Sequence, residues 1–253
     1  MGYSPGVHLT LTRRLVTLSL TGAVLLPTYG AIGVYMAARG GPVHSLPTFI
    51  DRDVPFSAPW VVVYAMIFLQ CLAPLFTITD ARALNRTVGA YFTLYAFGTP
   101  VWMLYPVTVQ RDPVPIVDIW TYGIGIVRYI DPPGNCMPSM HVALAVMATL
   151  VVYRHDREAG WALGLSAGLI WWSTLAIRQH YALDGLAGAA MAVVANWMWF
   201  EARPLPAEAY QRLPRAWHAA WVGLFVAAVL FLMSGWWLGW VPLDLLPPNA
   251  RRW

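Results

Sequence analysis

The sequence predicts an all-α fold, a polytopic membrane bundle of about six or seven transmembrane helices. The chain of 253 residues is 58% hydrophobic and only 11% charged. It contains several uninterrupted apolar stretches near the roughly 20 residues that cross a bilayer. These stretches are apolar all round, whereas the helices of a soluble core carry polar faces at helical period. The expected spans are residues 15–38, 58–79, 88–109, 138–153, 160–177, 181–200 and 216–240.

The start of the chain sets the expected orientation. Residues 1–12 lack the layout of a cleavable signal peptide, and Arg13 and Arg14 directly precede the first apolar run. Basic residues favour the cytoplasmic side of a span. We therefore expect a multi-pass protein of the cell membrane with a cytoplasmic N-terminus, in which residues 1–253 form one integral membrane domain.

The basic residues also limit the chemistry. The formal net charge is +4, and all sixteen basic residues are arginines, because the chain contains no lysine. They are divided among short loops, which is typical of topology signals rather than of a nucleic-acid surface. Schiff-base chemistry through lysine is excluded, and a cationic contact to phosphate has to come from arginine, whose planar fork suits a phosphoryl group. Cys71 and Cys136 are poor partners for each other, so we expect no disulfide.

The longest expected outer connection runs from Gln110 to Met137. Its length and position indicate a function. Within it, residues 116–129 mix Ile, Val, Trp and Tyr with Asp118 and Arg128. This composition predicts a short helix that lies at the membrane interface and borders the site.

Two histidines and one aspartate are the main catalytic candidates. His141 and His180 each open an apolar run, and one predicted span lies between the two runs. Both side chains therefore face the same side, which the expected orientation makes the extracytoplasmic one. Asp184 follows His180 by four residues, which puts the two side chains on one helix face. Ionisable groups inside apolar runs are costly and indicate function.

These residue types supply what phosphoryl transfer needs. His180 is the expected nucleophile, and Asp184 would hold its second ring nitrogen so that the attacking nitrogen is unprotonated. His141 would protonate the leaving group and later deprotonate the acceptor. Pro138 suits the first turn of a helix, so the free amides of Ser139 and the next two residues, with the Ser139 hydroxyl, are expected to face the phosphate.

Two motifs resemble the type 2 phosphatidic acid phosphatase (PAP2) superfamily of lipid phosphatases and phosphotransferases. Residues 138–141, PSMH, resemble its second motif, and His180 with Asp184 resembles the end of its third. The residues of both motifs are most similar to those of the branch that includes inositol phosphorylceramide synthases. The resemblance implies a PAP2-type helical core and the catalytic roles given above. It divides the chain into N-terminal spans, a motif core and an extra C-terminal span: residues 1–110, 111–190 and 216–240.

The basic positions of the family motifs are matched only in part. The first family motif contains a lysine and an Arg-Pro pair, whereas residues 111–113 of this chain are Arg-Asp-Pro. The third begins Ser-Arg, and residues 173–174 here are Ser-Thr. We expect Arg178 to replace the missing charge and Arg128 to contribute from the outer connection. The predicted phosphate-binding residues are Arg111, Arg128, Arg178 and Ser139.

The sequence leaves three kinds of function open. The first is a phosphatase or phosphotransferase that acts on a lipid phosphate or phospholipid through a phosphohistidine, without metal or other cofactor. Water as acceptor makes it a phosphatase, which we favour, and an alcohol or lipid acceptor makes it a transferase like inositol phosphorylceramide synthase. The second uses His141, His180 and Asp184 as metal ligands. The third is a non-enzymatic transporter or binding protein for anionic lipids. Membrane lipids are expected partners, nucleic acid is not, and an oligomer is compatible with the sequence.

Overall fold

A computed structural model describes residues 9–131 and 133–210, with isolated positions at 219, 223, 226, 227, 230 and 234. The described part is all-helical, which confirms the predicted fold class. Within it, extended backbone pairs only in an isolated bridge between His44 and Val107. The predicted C-terminal span, residues 216–240, and its tryptophans lie outside the continuously described residues.

The first helix, α1 (Leu11–Ala38), agrees with the predicted span at 15–38. It is 28 residues long, which at about 1.5 Å per residue exceeds the thickness of a bilayer core. It begins at Thr10, whose side chain accepts a hydrogen bond from the Arg13 amide at 3.2 Å. This side-chain cap satisfies one of the first free amides of the helix.

The second predicted span, residues 58–79, is a broken series instead of one helix. Pro74 lies in the first turn of α5, where its missing amide hydrogen costs no helical hydrogen bond, and it favours the start of a new helix there. Hydropathy registers only the apolar composition of such a segment and does not detect the breaks. The segments before and within this stretch are α2 (Phe49–Asp53), a 3₁₀ turn (Ala58–Trp60), α3 (Val61–Ala65), α4 (Ile67–Gln70) and α5 (Ala73–Thr77).

The next helix, α6 (Ala81–Leu104), starts and ends earlier than the predicted span at 88–109. It begins at Asp80, whose carboxylate accepts hydrogen bonds from two amides, one of them that of Arg82 at 2.7 Å. Hydropathy places the start too late because the first turns contain two arginines. On its buried face Trp102 and other side chains form the largest core cluster of the described residues, together with α1, α8 and α10.

A short helix, α7 (Ile119–Ile130), lies in the long connection where residues 116–129 predict one. Asp118 caps it, since its carboxylate accepts a hydrogen bond from the Thr121 amide at 2.8 Å. Its inner face, which includes Ile124, packs against α3. The long connection is therefore folded onto the bundle.

Three further helices form the core of the bundle, and their ends lie within four residues of the predicted spans at 138–153, 160–177 and 181–200. They are α8 (Met140–His155), α9 (Arg157–Ala176) and α10 (Ala182–Asn196), which continues as a π-helical turn (Trp197–Glu201). Asp156 joins the first two, because it ends α8 and its side chain accepts a hydrogen bond from the Ala159 amide at the start of α9.

Two glycines bring α10 close to its neighbours. A Cβ atom at Gly188 would lie 2.3 Å from the carbonyl oxygen of Ser139, at the start of α8. A Cβ atom at Gly185 would lie 2.0 Å from Nε1 of Trp171 on α9. Small residues are typical of such close helix contacts in membranes. The close contact at Gly188 therefore places the start of α10 beside the start of α8.

By length and composition, two described helices are able to cross a membrane. They are Thr12–Met36, with a mean hydropathy of 1.6, and Ala182–Glu201, with a mean hydropathy of 1.2. Ala58–Gln70 and Met140–His155 are apolar but shorter. These helices indicate association with a membrane, whereas the number of spans and their orientation stay predictions.

Candidate active site

The two candidate histidines meet at the starts of α8 and α10. Nδ1 of His141 lies 3.1 Å from Nε2 of His180, and both side chains are buried. His141 is in the first turn of α8, while His180 lies just before α10. The close approach of the two helices at Gly188 accounts for this contact between residues 39 positions apart.

Asp184 stands behind His180 as the spacing predicts. Its Oδ2 lies 3.6 Å from Nδ1 of His180, an ion-pair distance, and accepts a hydrogen bond from the Tyr181 amide at 2.8 Å. The side chain is fully buried. The carboxylate is thus fixed by the first turn of α10 and faces the ring nitrogen that points away from His141.

Ser139 caps α8 and does not present a free amide. Its amide donates to the Asp184 carbonyl at 2.9 Å, and its hydroxyl oxygen accepts from the Val142 amide at 3.5 Å. The expectation that its amide faces a phosphate is therefore wrong, because that amide joins α8 to α10. The Ser139 side chain is fully buried, directly before Met140 and His141.

Three residues that the sequence analysis missed surround the other side of His141. The Tyr64 hydroxyl lies 2.6 Å from Nε2 of His141 and donates to Oδ2 of Asp131 at 2.9 Å. The Tyr29 hydroxyl donates to Oδ1 of Asp131, also at 2.9 Å. Asp131 itself lies 3.9 Å from Nε2 of His141. Each of the two histidines therefore has a carboxylate on the side away from its partner.

Of these three residues, only Asp131 could have been recognised as a candidate from the sequence. It is a carboxylate at the end of α7, followed by two prolines, in the connection that leads to the PSMH motif. The two tyrosines lie in apolar runs where nothing distinguishes them from core residues, since aromatic side chains with one polar atom are common there.

Of the predicted phosphate-binding arginines, Arg111 contacts this cluster, and Arg128 lies within electrostatic reach of Arg111. Nη1 of Arg111 donates to the backbone carbonyl of Asp131 at 2.8 Å. Burial by itself raises the pKa of the Asp131 carboxyl, but the charges of His141, Arg111 and His180 bring it below its usual value. Arg128 is buried, and burial together with the charge of Arg111 lowers the pKa of its guanidinium to about 10. Two guanidinium groups within electrostatic reach of each other favour negative charge beside them, and the carboxylates of Asp112 and Asp131 supply part of it.

Arg178 is placed differently. Its backbone φ is 58°, and its guanidinium donates to the carbonyls of Asp51 and Val54 at 2.7 and 2.8 Å. Asp51 in turn accepts a hydrogen bond from the Ala182 amide at 2.8 Å. In this structure Arg178 therefore ties the segment after α2 to the start of α10, and its guanidinium binds backbone.

The geometry argues against one metal ion bound by the three residues considered in the sequence analysis. Nε2 of His180 faces His141 and Nδ1 faces Asp184, and one ion cannot bind both sides of a ring. Other sets do occur among the described residues. Asp131, His141 and His180 offer ligand atoms within 4.8 Å of one another, as do Cys136, His180 and Asp184.

Comparison with known proteins identifies the family of the chain. A family model for the PAP2 superfamily matches residues 40–198, more than half of the chain. The chain belongs to the PAP2 superfamily. The match extends beyond the motif core predicted at 111–190 and takes in the broken helix with Tyr64. No curated protein and no solved structure gave a significant match.

Membership of the PAP2 superfamily indicates an enzyme of the phosphatase or phosphotransferase type. The match supports the superfamily alone and does not extend to the branch of inositol phosphorylceramide synthases. In this PAP2 protein the two histidines and Asp184 stand together without the lysine of the first family motif. The positive charge close to them comes from Arg111 and, beyond it, Arg128.

Proposed function

We propose that this PAP2 protein is a membrane-bound phosphatase or phosphotransferase that acts on a lipid phosphate through a phosphohistidine. The main observation is the 3.1 Å contact between Nδ1 of His141 and Nε2 of His180, with the Asp184 carboxylate behind His180. A nucleophilic nitrogen, a group that fixes its tautomer and a proton donor are the three parts that such a transfer requires.

In the proposed reaction His180 is the nucleophile. Its Nε2 forms a bond to phosphorus while the bond from phosphorus to the leaving oxygen breaks, and His141 gives a proton to that oxygen. A water or alcohol molecule then attacks phosphorus, the nitrogen–phosphorus bond breaks, and His141 takes the proton of the acceptor. Arg111 and Arg128 supply positive charge near the phosphoryl oxygens. Every step uses a residue of this chain, so the proposal is independent of metal.

An apolar cavity beside the site supports a lipid substrate. It has a volume of about 480 Å³, within the usual range for small-molecule sites, and lies between α1, α4, α5, α6 and α8. Leu144, in its wall, is one turn after His141 on α8. Leu25, also in the wall, is one turn before Tyr29, whose ring centroid lies 6.3 Å from that of His141. We propose that the alkyl chain of the substrate fills this cavity.

The exposed surface supports a membrane location. α1, and α10 together with its π-helical turn, are long and apolar enough to cross a bilayer. On α9, large apolar side chains follow one another at helical spacing and are exposed: Trp161, Leu165, Leu169 and Trp172. Such a stripe suits contact with lipid tails. We propose a multi-pass protein of the cell membrane, with a cytoplasmic N-terminus and the histidines on the extracytoplasmic side.

The acceptor separates two versions of this proposal. Water and an alcohol attack the same intermediate, and access to the site selects between them. We propose water, which makes the protein a lipid phosphatase. Transfer of a phosphorylated headgroup to an alcohol or lipid, as in inositol phosphorylceramide synthases, is the alternative.

Phosphate release from alkyl phosphates of increasing chain length tests the proposal. We expect purified wild-type protein in detergent to release phosphate, faster with longer chains, unaffected by a chelator and inhibited by vanadate. The His180→Ala variant is expected to release none. His155→Ala, which removes a buried histidine at the far end of α8, is the matched control and should retain activity.

Three other outcomes of this experiment would each overturn one part of the proposal. Loss of activity with a chelator would assign a metal to the site. Transfer to an added alcohol without release to water would identify a transferase. Binding of lipid phosphates with neither reaction would identify a binding protein or transporter.

A further inference from the structure

We propose that Asp131 is a positioning residue that orients His141 through the Tyr64 hydroxyl and stabilises its positive charge as a general acid. This inference rests on the proposed phosphohistidine reaction and adds to it a second carboxylate. No motif of the sequence assigns a role to Asp131 or Tyr64.

The hydrogen atoms available at Tyr64 support this arrangement. The hydroxyl has one hydrogen, and it donates that hydrogen to Oδ2 of Asp131 at 2.9 Å. Its oxygen is then left to accept a hydrogen bond from Nε2 of His141, 2.6 Å away. A proton that His141 gives to a substrate is consequently held on Nδ1. That is the nitrogen beside Nε2 of His180, where phosphorus would be attacked.

The Asp131 carboxylate is held from both sides. Its Oδ1 accepts the Tyr29 hydroxyl at 2.9 Å, and its backbone carbonyl accepts Arg111 at 2.8 Å. It is buried, and its Oδ2 lies 3.9 Å from Nε2 of His141. Burial of a carboxylate is costly unless positive charge and hydrogen bonds compensate it. The two tyrosine hydroxyls and Arg111 provide part of that compensation. When His141 carries a proton on both ring nitrogens, its positive charge adds to it, and the carboxylate in turn stabilises the protonated ring.

The two histidines therefore have parallel supports with different tasks. Asp184 contacts His180 directly and leaves its Nε2 free to attack. Asp131 acts through a hydroxyl and leaves Nδ1 of His141 as the donor. A general acid matters most when the leaving oxygen is a poor leaving group, because such an oxygen cannot depart as an anion. An aryl oxide departs without a proton, so its release depends much less on His141.

The dependence on leaving group provides the test. Phosphate release is measured for the wild type, Asp131→Asn and Tyr64→Phe with an alkyl phosphate and with p-nitrophenyl phosphate. Asparagine keeps the shape of the side chain and one acceptor oxygen, but it has no charge and an amide nitrogen replaces the second oxygen. Phenylalanine keeps the ring of Tyr64 and removes its hydroxyl. We expect both variants to lose about 100-fold or more with the alkyl phosphate and less than about 10-fold with the aryl phosphate.

The control replaces a different buried carboxylate. Asp80 caps α6 and pairs with Arg82, so Asp80→Asn should leave the ratio of the two activities unchanged. If Asp131→Asn does not fold, as judged by gel filtration, Tyr64→Phe decides. Equal losses with the two substrates, or no loss, would overturn the role of Asp131. If the wild type itself releases no phosphate from either substrate, the proposed function fails instead.

Discussion

At the scale of single residues, the carboxylate behind His180 leads to a direct prediction. Asp184 is fully buried, 3.6 Å from Nδ1 of His180. Asparagine keeps an acceptor for the Tyr181 amide but loses the charge that fixes the His180 tautomer. We expect Asp184→Asn to lower kcat by about 10⁴-fold, the scale found for orienting carboxylates, with little change in KM. Rates of phosphate release give kcat and KM, and thermal unfolding shows whether the variant is folded. A loss of kcat below tenfold would limit Asp184 to a role in folding.

Arg178 allows a second prediction, because the sequence and the structure suggest different roles for it. Its guanidinium donates to the carbonyls of Asp51 and Val54. Loss of such bonds from a charged group costs about 1.5–3 kcal/mol each when the group is buried, and less here because the side chain is only half-buried. We expect Arg178→Ala to lower the free energy of unfolding by about 2 kcal/mol with an almost unchanged KM. Arg52→Ala, on an exposed neighbour, is the control. A tenfold rise in KM at constant stability would restore the phosphate-binding role.

The catalytic residues show how far sequence reasoning reaches. His141, His180 and Asp184 were predicted because local spacing and a motif place them, and the structure brings them together. Asp131 and Tyr64 were not, since their contact joins positions 67 residues apart and depends on how a broken helix packs. Local periodicity contains no information on such a contact.

At the scale of helices, Gly188 controls the distance between α10 and α8. A Cβ atom there would lie 2.3 Å from the Ser139 carbonyl, whereas nothing lies within 4 Å of a Cβ atom at Gly168 on α9. We expect Gly188→Ala to separate the two histidines, to cost about 1–3 kcal/mol of stability as overpacking does, and to abolish most activity. Gly168→Ala should be neutral or slightly stabilising. Thermal unfolding and phosphate release of the pair test this, and equal behaviour of the two variants would contradict it.

Helix boundaries were predictable where a single apolar run coincides with a single helix. This holds for α8, α9 and α10. It fails for α6, because Asp80 caps a helix whose first turns contain arginines, and hydropathy excludes charged turns. It also fails for the second span, where one apolar run contains a 3₁₀ turn and three short helices, the last of which starts at Pro74. Composition sets the solvent that a segment prefers, whereas caps and prolines set where its helix begins and ends.

At the scale of the whole molecule, the distribution of polar and apolar side chains differs from that of a typical soluble protein. The described bundle buries its cluster of histidines and carboxylates at one end, while large apolar side chains such as Trp161 and Leu165 are exposed along α9. In water such exposure would be costly, and in a bilayer it is favourable. The family match alone says nothing about the side of the membrane on which the site lies.

The orientation of the molecule is tested with single cysteines. Val117 precedes α7, on the side of the histidines, and is 74% exposed. Arg157 is exposed at the start of α9, separated from His141 by the length of α8, about 24 Å for its 16 residues. Cys71 and Cys136 are first replaced by alanine. We expect a membrane-impermeant maleimide to label the Val117→Cys variant in intact cells, and the Arg157→Cys variant only after permeabilisation. The reverse pattern would place the histidines on the cytoplasmic side. Labelling of both in intact cells would contradict a membrane between them.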